Sequence, residues 1–232
     1  MTSLPPAPEK RAAVRSMFDR IAPRYDALNR ILTGGLDQRW RRQSLRATGV
    51  GPGDLVLDLA CGTGDLAERC VARGARVIGA DFAREMLRGA RRRAVAADFV
   101  QGDAECLPLP DASVDVVTCG FALRNFGSLD RAFAEIGRVL RPGGRIALLD
   151  VDRPRSRAIA FLHSLHFDHL VPFVGGLLSD RQAYRYLPES TAYLPAPDEM
   201  RALLEKQGLV DVAQRRFLFG TAQLWLGRKA PA

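Results

Sequence analysis

Cysteine and histidine are scarce in this sequence, and their placement excludes several kinds of site. The chain has four cysteines and three histidines in 232 residues. Cys61, Cys70, Cys106 and Cys119 form no C-x-x-C pair, and no histidine stands near them at a spacing typical of metal ligands. We therefore expect no metal centre, and we expect reduced thiols, as in a cytoplasmic protein.

Long apolar runs are also missing. The first ten residues, MTSLPPAPEK, have no apolar core, so the sequence predicts no signal peptide. The most apolar long window, IAFLHSLHFDHLVPFVGGLL at residues 159–178, contains three histidines, an aspartate and a proline. Polar side chains of this kind argue against a membrane span. The mixed composition of this window is compatible with a segment that contacts a membrane surface.

The charge of the chain is positive, with a formal net charge of +8 and a pI near 9.9. Short arginine clusters stand at residues 39–42 (RWRR) and 88–93 (RGARRR). They form no basic stripe interleaved with aromatic side chains, and no nucleic-acid motif accompanies them, so we expect no nucleic-acid partner. The excess charge predicts a solvated surface, with anionic lipid or an acidic partner as the alternatives.

The pattern of apolar segments from residue 54 onward predicts an α/β fold. Five short runs rich in Val, Ile and Leu lack polar alternation, which is typical of strands buried on both faces of a parallel sheet. Helix-like segments lie between them, such as LDRAFAEIGRVL at 129–140, which stops at RPGG. The predicted strands span residues 55–60, 76–81, 97–103, 114–120 and 145–150.

This alternation predicts a Rossmann-like, doubly wound sheet in a single domain over residues 1–232. We expect seven mostly parallel strands, because two strand-like runs after a helix at 198–207 suggest a closing hairpin, with one antiparallel strand at the sheet edge. The predicted segments are an N-terminal helical lid (10–48), a core (54–150), a helical insertion (151–195) and a C-terminal helix and hairpin (196–230).

A glycine-rich turn follows the first predicted strand. Residues 62–67, GTGDLA, fit the pattern G-x-G-x-x-A, in which backbone N–H groups at a helix N-terminus face a ligand. Glycine is expected at positions 62 and 64 because a Cβ there would block close approach of the ligand. The pattern alone predicts a nucleotide-like cofactor of unspecified kind, and a merely tight turn is the alternative.

Aspartates at the ends of three predicted strands narrow the choice of cofactor. Asp58, Asp81 and Asp103 lie 23 and 22 residues apart, about one strand–helix unit each. The carboxyl ends of parallel strands meet at one edge of the sheet, where ligands bind. Carboxylates there repel a pyrophosphate and favour a cation such as S-adenosylmethionine. A structural acceptor (Asp58) and a helix cap (Asp103) are the alternative roles.

Several longer stretches resemble the ubiquinone/menaquinone biosynthesis C-methyltransferase family. They are VLDLACGTGDLA, GADFAREML, GDAECLPLPDASVDVVTCGFALRNF, EIGRVLRPGGRIALLD and AYRYLPES, with the opening MFDRIAPRYDALNRILTGGLDQRWRR. The resemblance spans about residues 14–228, and ALRNF and YRYLPES are its most specific elements. It implies a class I methyltransferase that uses S-adenosylmethionine to methylate the ring of a prenylated quinol.

The resemblance also implies which residues hold the cofactor. The glycine turn would hold the methionine end of the cofactor. The aspartate that ends the second strand would bind the ribose, and residues after the second and third strands would contact the adenine. The full set is Asp58, Gly62, Thr63 and Gly64 near the methionine end, Asp81 at the ribose, Phe82 and Met86 against the adenine, Asp103 and Ala104 at the base edge, and Gly120 after the fourth strand.

Ring-carbon methylation of a quinol needs a phenolic proton to leave, so a base or a cation that lowers the phenol's pKa is required. Arg124 and Asn125 follow the fourth predicted strand. We expect Arg124 to stabilise the phenolate, directly or through a water, and Asn125 to orient a ring oxygen. Tyr25, in the lid, would close over the site. An ion pair with a nearby carboxylate is the alternative for Arg124.

Three histidines leave two interpretations open. His163, His166 and His169 recur every three residues, so they lie along one face of a predicted helix. His166 is a candidate base, and a polar helix face explains the spacing equally.

Near the acceptor side, the sequence departs from the family pattern. Asp150 stands where the family commonly has Glu, and it either faces the acceptor or caps a loop. The stretch LFGTAQLWLG, with Gln223 and Trp225, replaces the usual TGGIVALHRG, and LDVDRP replaces LEFSKP.

The sequence alone does not identify the methyl acceptor or the partners of the protein. A demethylmenaquinol, a benzoquinol precursor of ubiquinone and another phenolic or lipid molecule all fit. A nicotinamide-dependent oxidoreductase, which the glycine pattern permits, and a non-catalytic binding protein are the rivals. Prenylated quinols reside in bilayers, so peripheral contact with the inner face of the membrane is compatible with such an enzyme. A homodimer or a quinone-biosynthesis assembly is a further alternative.

Overall fold

The computed structural model describes residues 7–93, 96–152, 154 and 190–231. Most of the predicted insertion at 151–195, including the three histidines, lies outside the described residues. The helices are α1 (Ala7–Ile21), α2 (Tyr25–Thr33), α3 (Leu36–Thr48), α4 (Asp65–Val71), α5 (Arg84–Arg92), α6 (Leu129–Val139) and α7 (Pro197–Lys206). The strands are β1 (Leu55–Leu59), β2 (Arg76–Asp81), β3 (Asp98–Gln101), β4 (Val114–Gly120), β5 (Leu140–Val151), β6 (Leu209–Phe217) and β7 (Ala222–Lys229).

The strands form one sheet in the order β3-β2-β1-β4-β5-β7-β6. β1 pairs in parallel with both β2 and β4, β2 with β3, and β4 with β5. The chain moves outward from β1 to β3, then returns to the other side of β1 to begin β4. This reversal confirms the predicted doubly wound sheet, and it opens a crevice between the carboxyl ends of β1 and β4.

The closing hairpin is confirmed, and the structure shows which of its strands is antiparallel. β7 runs antiparallel to both β5 and β6, and it lies between them, so β6 takes the outermost position. Val151 pairs with Ala222, which in turn pairs with Phe217. The turn between β6 and β7 therefore lies beside the end of β5, at the carboxyl edge of the parallel strands.

The segment RPGG at 141–144 ends a helix as expected, but no loop follows it. α6 ends at Val139, and β5 begins at Leu140. Gly143 has a φ of +76°, and the register between β4 and β5 shifts between Val114 and Val116. The Pro-Gly-Gly segment is thus the irregular beginning of β5, which makes this strand longer than the predicted 145–150.

Helices cover both faces of the sheet. Leu57 of β1 packs in one buried cluster with Phe133 of α6, whereas Val56 packs in another with Leu45 of α3 and Leu66 of α4. Successive side chains of a strand point to opposite faces. The two covered faces explain why the predicted strands show no polar alternation.

The predicted lid is helical, and it packs near the start of α5. Met17, Ile21 and Leu28 share a buried cluster with Ala83 and Met86. In addition, the backbone N–H of Glu85 donates a hydrogen bond of 2.9 Å to the carboxylate of Asp19 in α1. These contacts place α1 and α2 beside the carboxyl end of β2. Among the described residues, no helix combines the length and apolar character needed to cross a bilayer.

We expect Phe133→Ala to lower the free energy of unfolding by about 3–5 kcal/mol, because it opens a cavity in the largest core. The side chain of Phe133 is 0% exposed, whereas that of Phe219 is 76% exposed. The matched control Phe219→Ala should change the free energy by less than about 0.5 kcal/mol. Urea unfolding measures both, and equal losses in the two variants would contradict this account of the core.

Candidate functional site

A cavity of about 690 Å³, counting its open mouth, lies at the carboxyl edge where β1 and β4 diverge. Its walls come from the turns after the first four strands and from α1 and α2. The sequence-predicted residues that line it are Tyr25, Gly62, Asp81, Phe82, Met86, Asp103, Ala104, Gly120 and Asn125.

Asp81 ends β2 at the wall of this cavity. Its Oδ2 accepts a hydrogen bond of 2.8 Å from the N–H of Gly62, and its Oδ1 accepts one of 2.8 Å from the N–H of Ala83. Burial raises the pKa of Asp81 to about 6, and these backbone hydrogen bonds oppose the rise. Because each carboxylate oxygen has two lone pairs, both can accept a further hydrogen bond from a ligand hydroxyl.

The glycines of the turn have separate structural reasons. Gly62 and Gly64 have φ values of +55° and +84°, a region that favours glycine. A Cβ on Gly62 would meet no protein atom within 4 Å, so the protein leaves that space open, as ligand approach requires. A Cβ on Gly64 would approach the Cβ of Ala90 to 3.3 Å, so Gly64 instead permits close packing of α5. Gly64 does not line the cavity.

Asp58 does not line the cavity either. It is buried in β1 and accepts a hydrogen bond of 2.9 Å from the hydroxyl of Thr118 in β4. Burial raises its pKa to about 7, against the lowering effects of Thr118 and Arg41. The neighbouring Leu59 lines the cavity, and alternation along the strand turns Asp58 to the other face. The structure therefore shows the alternative role, a structural acceptor.

Thr63 is bound to the lid. Its hydroxyl donates a hydrogen bond of 2.6 Å to Asp26 of α2. Arg93, after α5, donates one of 2.8 Å to the carbonyl of Thr63 and forms an ion pair with Asp26. The side chain expected at the methionine end thus joins α2 to the glycine turn, and it lies outside the cavity lining.

Asp103 lines the cavity and caps a turn. No helix begins in the described residues between β3 and β4, so the alternative of a helix cap is wrong, and contact with the base stays a prediction. It accepts a hydrogen bond of 2.9 Å from the N–H of Glu105 and forms an ion pair with Arg11 of α1. Arg11 and Glu105 line the cavity as well, although sequence reasoning missed them. Nothing local marks Arg11, because only the packing of α1 brings it to this edge.

Arg124 is buried beside the cavity and does not line it. Its guanidinium donates to Asp150 and, at 2.8 Å, to the carbonyl of Phe121, while its N–H donates at 3.2 Å to Asp150. The ion pair with Asp150 is the alternative that the sequence left open. Asp150 is fully buried, and its contacts with Arg124 hold the turn that follows β4. The phenolate role of Arg124 stays a prediction.

Asn125 and Tyr25 both line the cavity. Asn125 is only 7% exposed, and its amide oxygen has no hydrogen-bond partner among the described residues. Burial raises the pKa of the Tyr25 phenol, whereas the charges of Arg41 and Arg124 and a hydrogen bond with Asn29 lower it. The two predicted residues are therefore brought together in one cavity, near two arginines.

Arg41 in α3 is the main residue that sequence reasoning missed. Its Nε lies 3.4 Å from Asp65 of α4, and its guanidinium lies 5.0 Å from the ring centre of Phe121. A Cβ on Gly120 would meet Nη1 of Arg41 at 2.7 Å, so glycine at this position makes room for the arginine. Arg41 belongs to the cluster RWRR at residues 39–42, for which the sequence analysis predicted a solvated surface.

Gln223, Trp225 and the buried cysteines, which the sequence analysis also named, have structural roles. Gln223 accepts hydrogen bonds from the Trp225 indole at 2.9 Å and from Gln214 at 2.8 Å, within the β6–β7 hairpin. Burial raises the pKa of the Cys61 and Cys119 thiols well above the ordinary value, so both are protonated at neutral pH. Among the described residues, no three His, Cys, Asp or Glu side chains group as metal ligands.

The family model for the ubiE/COQ5 methyltransferase family matches residues 7–229. The chain belongs to this family. The match covers the lid as well as the sheet, so the helices that border the cavity are part of what the family shares. A methyltransferase activity follows from this membership, and it disfavours the nicotinamide-dependent oxidoreductase.

Relatives of this methyltransferase carry names from quinone biosynthesis. A demethylmenaquinone methyltransferase of Thermus thermophilus is 44% identical over 218 residues, covering 91% of this chain and 99% of its own. A ubiquinone/menaquinone biosynthesis C-methyltransferase of Geobacter sulfurreducens is 37% identical over 230 residues, covering 95% and 90%.

Solved structures agree in fold. A putative methyltransferase of Haloferax volcanii, in complex with its Trm112 activator, has a TM-score of 0.67 at 21% identity, over 93% of this chain and 98% of its own. A phosphoethanolamine N-methyltransferase of Haemonchus contortus in complex with S-adenosyl-L-methionine has a TM-score of 0.61 at 16% identity, over 84% and 53%. At such identities the likeness shows the fold alone.

We expect Asp81→Asn to weaken binding of S-adenosylhomocysteine about 10- to 100-fold, because an amide replaces a charged acceptor. Wild-type affinity should also fall as the pH drops below about 6, where the carboxylate takes up a proton. The variant should lose this pH dependence. Calorimetry from pH 5 to 8 measures both effects, with Asp98→Asn, an exposed change on β3, as the matched control. Equal affinities for Asp81→Asn and wild type would contradict the assignment.

Proposed function

We propose that this methyltransferase transfers the methyl group of S-adenosylmethionine to a ring carbon of a prenylated quinol, either demethylmenaquinol or a benzoquinol precursor of ubiquinone. The names of its relatives support this acceptor class. The observation that carries the proposal is one cavity with Asp81 at one wall and Asn125 at another, whose amide oxygen has no hydrogen-bond partner within the described part of the chain. One wall suits a ribose, and the other suits a hydroxyl donor.

The residues present fit S-adenosylmethionine. Asp81, Asp103 and Glu105 line the cavity. Asp103 pairs with Arg11 and Glu105 with Arg131, whereas Asp81 has no ion pair among the described residues. The charge of Asp81 suits a cationic ligand and repels a pyrophosphate. When bound, the donor supplies an activated methyl group. Asp81 would bind the ribose hydroxyls, and Asp103 and Ala104 would contact the edge of the adenine base. Phe82 and Met86 would pack against the faces of the base. The open space beside Gly62 would hold the methionine end.

The acceptor end would be formed by the turn after β4 and by the lid. Asn125 would accept a hydrogen bond from a ring hydroxyl, which satisfies its buried oxygen and fixes the orientation of the ring. Tyr25 would close over that ring from the first turn of α2. Methyl transfer from a sulfonium depends mainly on such positioning, because the methyl group is already activated.

Arg124 would assist loss of the phenolic proton. Its charge lies beside the cavity, and it is close enough to Tyr25 to lower the pKa of that phenol. An acceptor phenol near the same charge would ionise more readily for the same electrostatic reason. Asp150 offsets part of this charge, so we assign Arg124 a supporting effect, and we assign Asp150 the task of fixing its position.

The activity is tested directly with purified protein, the radiolabelled donor and a panel of demethylmenaquinol, a demethylated benzoquinol precursor and simple phenols. Methylation of a quinol, identified by mass spectrometry, is the expected result. Transfer to simple phenols with neither quinol accepted would favour another phenolic substrate. Binding of the donor without any turnover would favour a non-catalytic binding protein. Cells with and without the protein should differ in a methylated quinone.

The role of Arg124 has a test that separates charge from folding. Arg124→Ala alone would leave the Asp150 carboxylate buried without its charged partner, which costs about 3–5 kcal/mol of stability. We therefore expect the neutral double variant Arg124→Gln/Asp150→Asn to fold, and to lose about 10- to 100-fold in kcat at neutral pH. Its activity should recover as the pH rises, because the phenol then ionises without help.

The single variant Asp150→Asn is the matched control, since it keeps the arginine. It should retain more activity than the double variant and show no comparable recovery at high pH. Equal kcat and equal pH profiles for the double variant and wild type would show that Arg124 only neutralises Asp150.

We also propose that the reaction takes place on the cytoplasmic side of the membrane, within a single domain formed by the lid, the core and the closing hairpin. The proposal follows from the reduced thiols expected of the sequence and from the lipid character of prenylated quinols.

A further inference from the structure

Three large apolar side chains are exposed in the described part of the chain. They are Ile31 (60% exposed), Leu218 (47%) and Phe219 (76%). Single exposed apolar residues are ordinary in proteins. The backbone conformation of Leu218 and Phe219 and the edge of the sheet at which they lie distinguish this pair.

Leu218 and Phe219 form the tip of the turn between β6 and β7 in a backbone conformation that disfavours them. Their φ values are +42° and +57°, in the left-handed region, and Gly220 follows at +93°. Asn, Asp and Gly are the residues that such turn positions favour. Here two large apolar residues occupy strained positions without becoming buried, so packing does not account for them. Strain of this kind commonly marks a functional segment.

The tip lies at the same edge of the sheet as the cavity. The register of Val151, Ala222 and Phe217 places it beside the carboxyl end of β5. Phe217 stacks on Trp40 of α3 with ring centres 6.3 Å apart and planes 16° apart. Leu36, at the start of α3, packs against the same cluster. The turn between α2 and α3, which follows Ile31, is therefore on this side too.

Positive charge accompanies the apolar residues. Arg30 precedes Ile31, and Arg215 lies three residues before Leu218; both are exposed. No ion pair among the described residues involves either of them. Arg216, also near the tip, is 3.3 Å from Asp152 and is neutralised by it. The chain as a whole carries a formal net charge of +8.

We propose that Ile31, Leu218 and Phe219, with Arg30 and Arg215, form an edge surface that docks on an anionic lipid bilayer. Apolar side chains of this kind enter the acyl boundary, and arginines beside them attract acidic headgroups. The inference rests on the proposed function, because a prenylated quinol reaches the cavity from a bilayer.

The observations favour a bilayer over a second protein. A specific protein interface buries about 800 Å² on each partner. The edge surface offers two side chains on a narrow tip and a third on a neighbouring helix, together with two exposed arginines that form no ion pair with any residue the structure describes. That combination fits shallow insertion into an anionic surface better than it fits a flat, complementary partner face.

The test is co-sedimentation of the full chain with vesicles of phosphatidylglycerol and phosphatidylcholine. Wild-type protein should bind phosphatidylglycerol vesicles at low salt, and Leu218→Ser/Phe219→Ser should bind at least about tenfold more weakly. Arg30→Gln/Arg215→Gln should lose about tenfold at low salt. The matched control Arg46→Gln/Arg76→Gln, with the same loss of charge at exposed positions, should stay within about twofold of wild type.

Activity assays separate this inference from the proposed function. The tip variant should methylate a water-soluble quinol without a prenyl chain at the wild-type rate, and lose about tenfold with prenylated quinol embedded in vesicles. Unchanged vesicle binding by the tip variant would overturn the docking surface, even with full activity. Altered self-association without altered vesicle binding would also overturn it and assign the tip to a dimer. Failure of wild type on both quinols would instead overturn the proposed function.

Discussion

The parallel pairing of β1 with both β2 and β4 is the constraint on which the site depends. It sends the chain in two directions from one central strand, so the turns after β1, β2 and β4 converge at one edge. The hydrogen bond from Gly62 to Asp81 fixes two of these turns together. This hydrogen bond joins the two turns and holds Asp81 at the cavity wall, where the proposed contact with a ribose would be made.

Around this rigid centre, the N-terminal helices are held by charges. Asp26 bonds Thr63 and Arg93, Asp103 pairs with Arg11, and Arg41 lies between Asp65 and the ring of Phe121. Such contacts, formed between distant parts of the sequence, connect the lid to the same residues that the donor is expected to approach. The proposed donor would therefore approach residues that also hold the lid.

Much of the donor side was predictable, because it depends on local features. A glycine turn after a strand, and acids placed one strand–helix unit apart, mark the carboxyl edge of any doubly wound sheet. This reasoning named Asp58, Asp81 and Asp103, and the structure places Asp81 and Asp103 at the cavity. Asp58 lies elsewhere, because alternation within β1 turns it towards Thr118, on the face that carries α4. The acceptor side was less predictable, since Arg124 sits in an ion pair with a residue 26 positions away.

The sequence by itself determined the order of strands and helices, the family and the chemistry of the donor, because these depend on periodicity and on short motifs. Only the tertiary structure decided that Arg41 packs against Gly120 at the cavity wall, that Thr63 binds the lid, and that the tip at Leu218 and Phe219 lies at the same edge of the sheet as the cavity. Each of these depends on contacts between residues distant in the chain. No local pattern records such contacts, because they form only when the sheet and its helices are assembled.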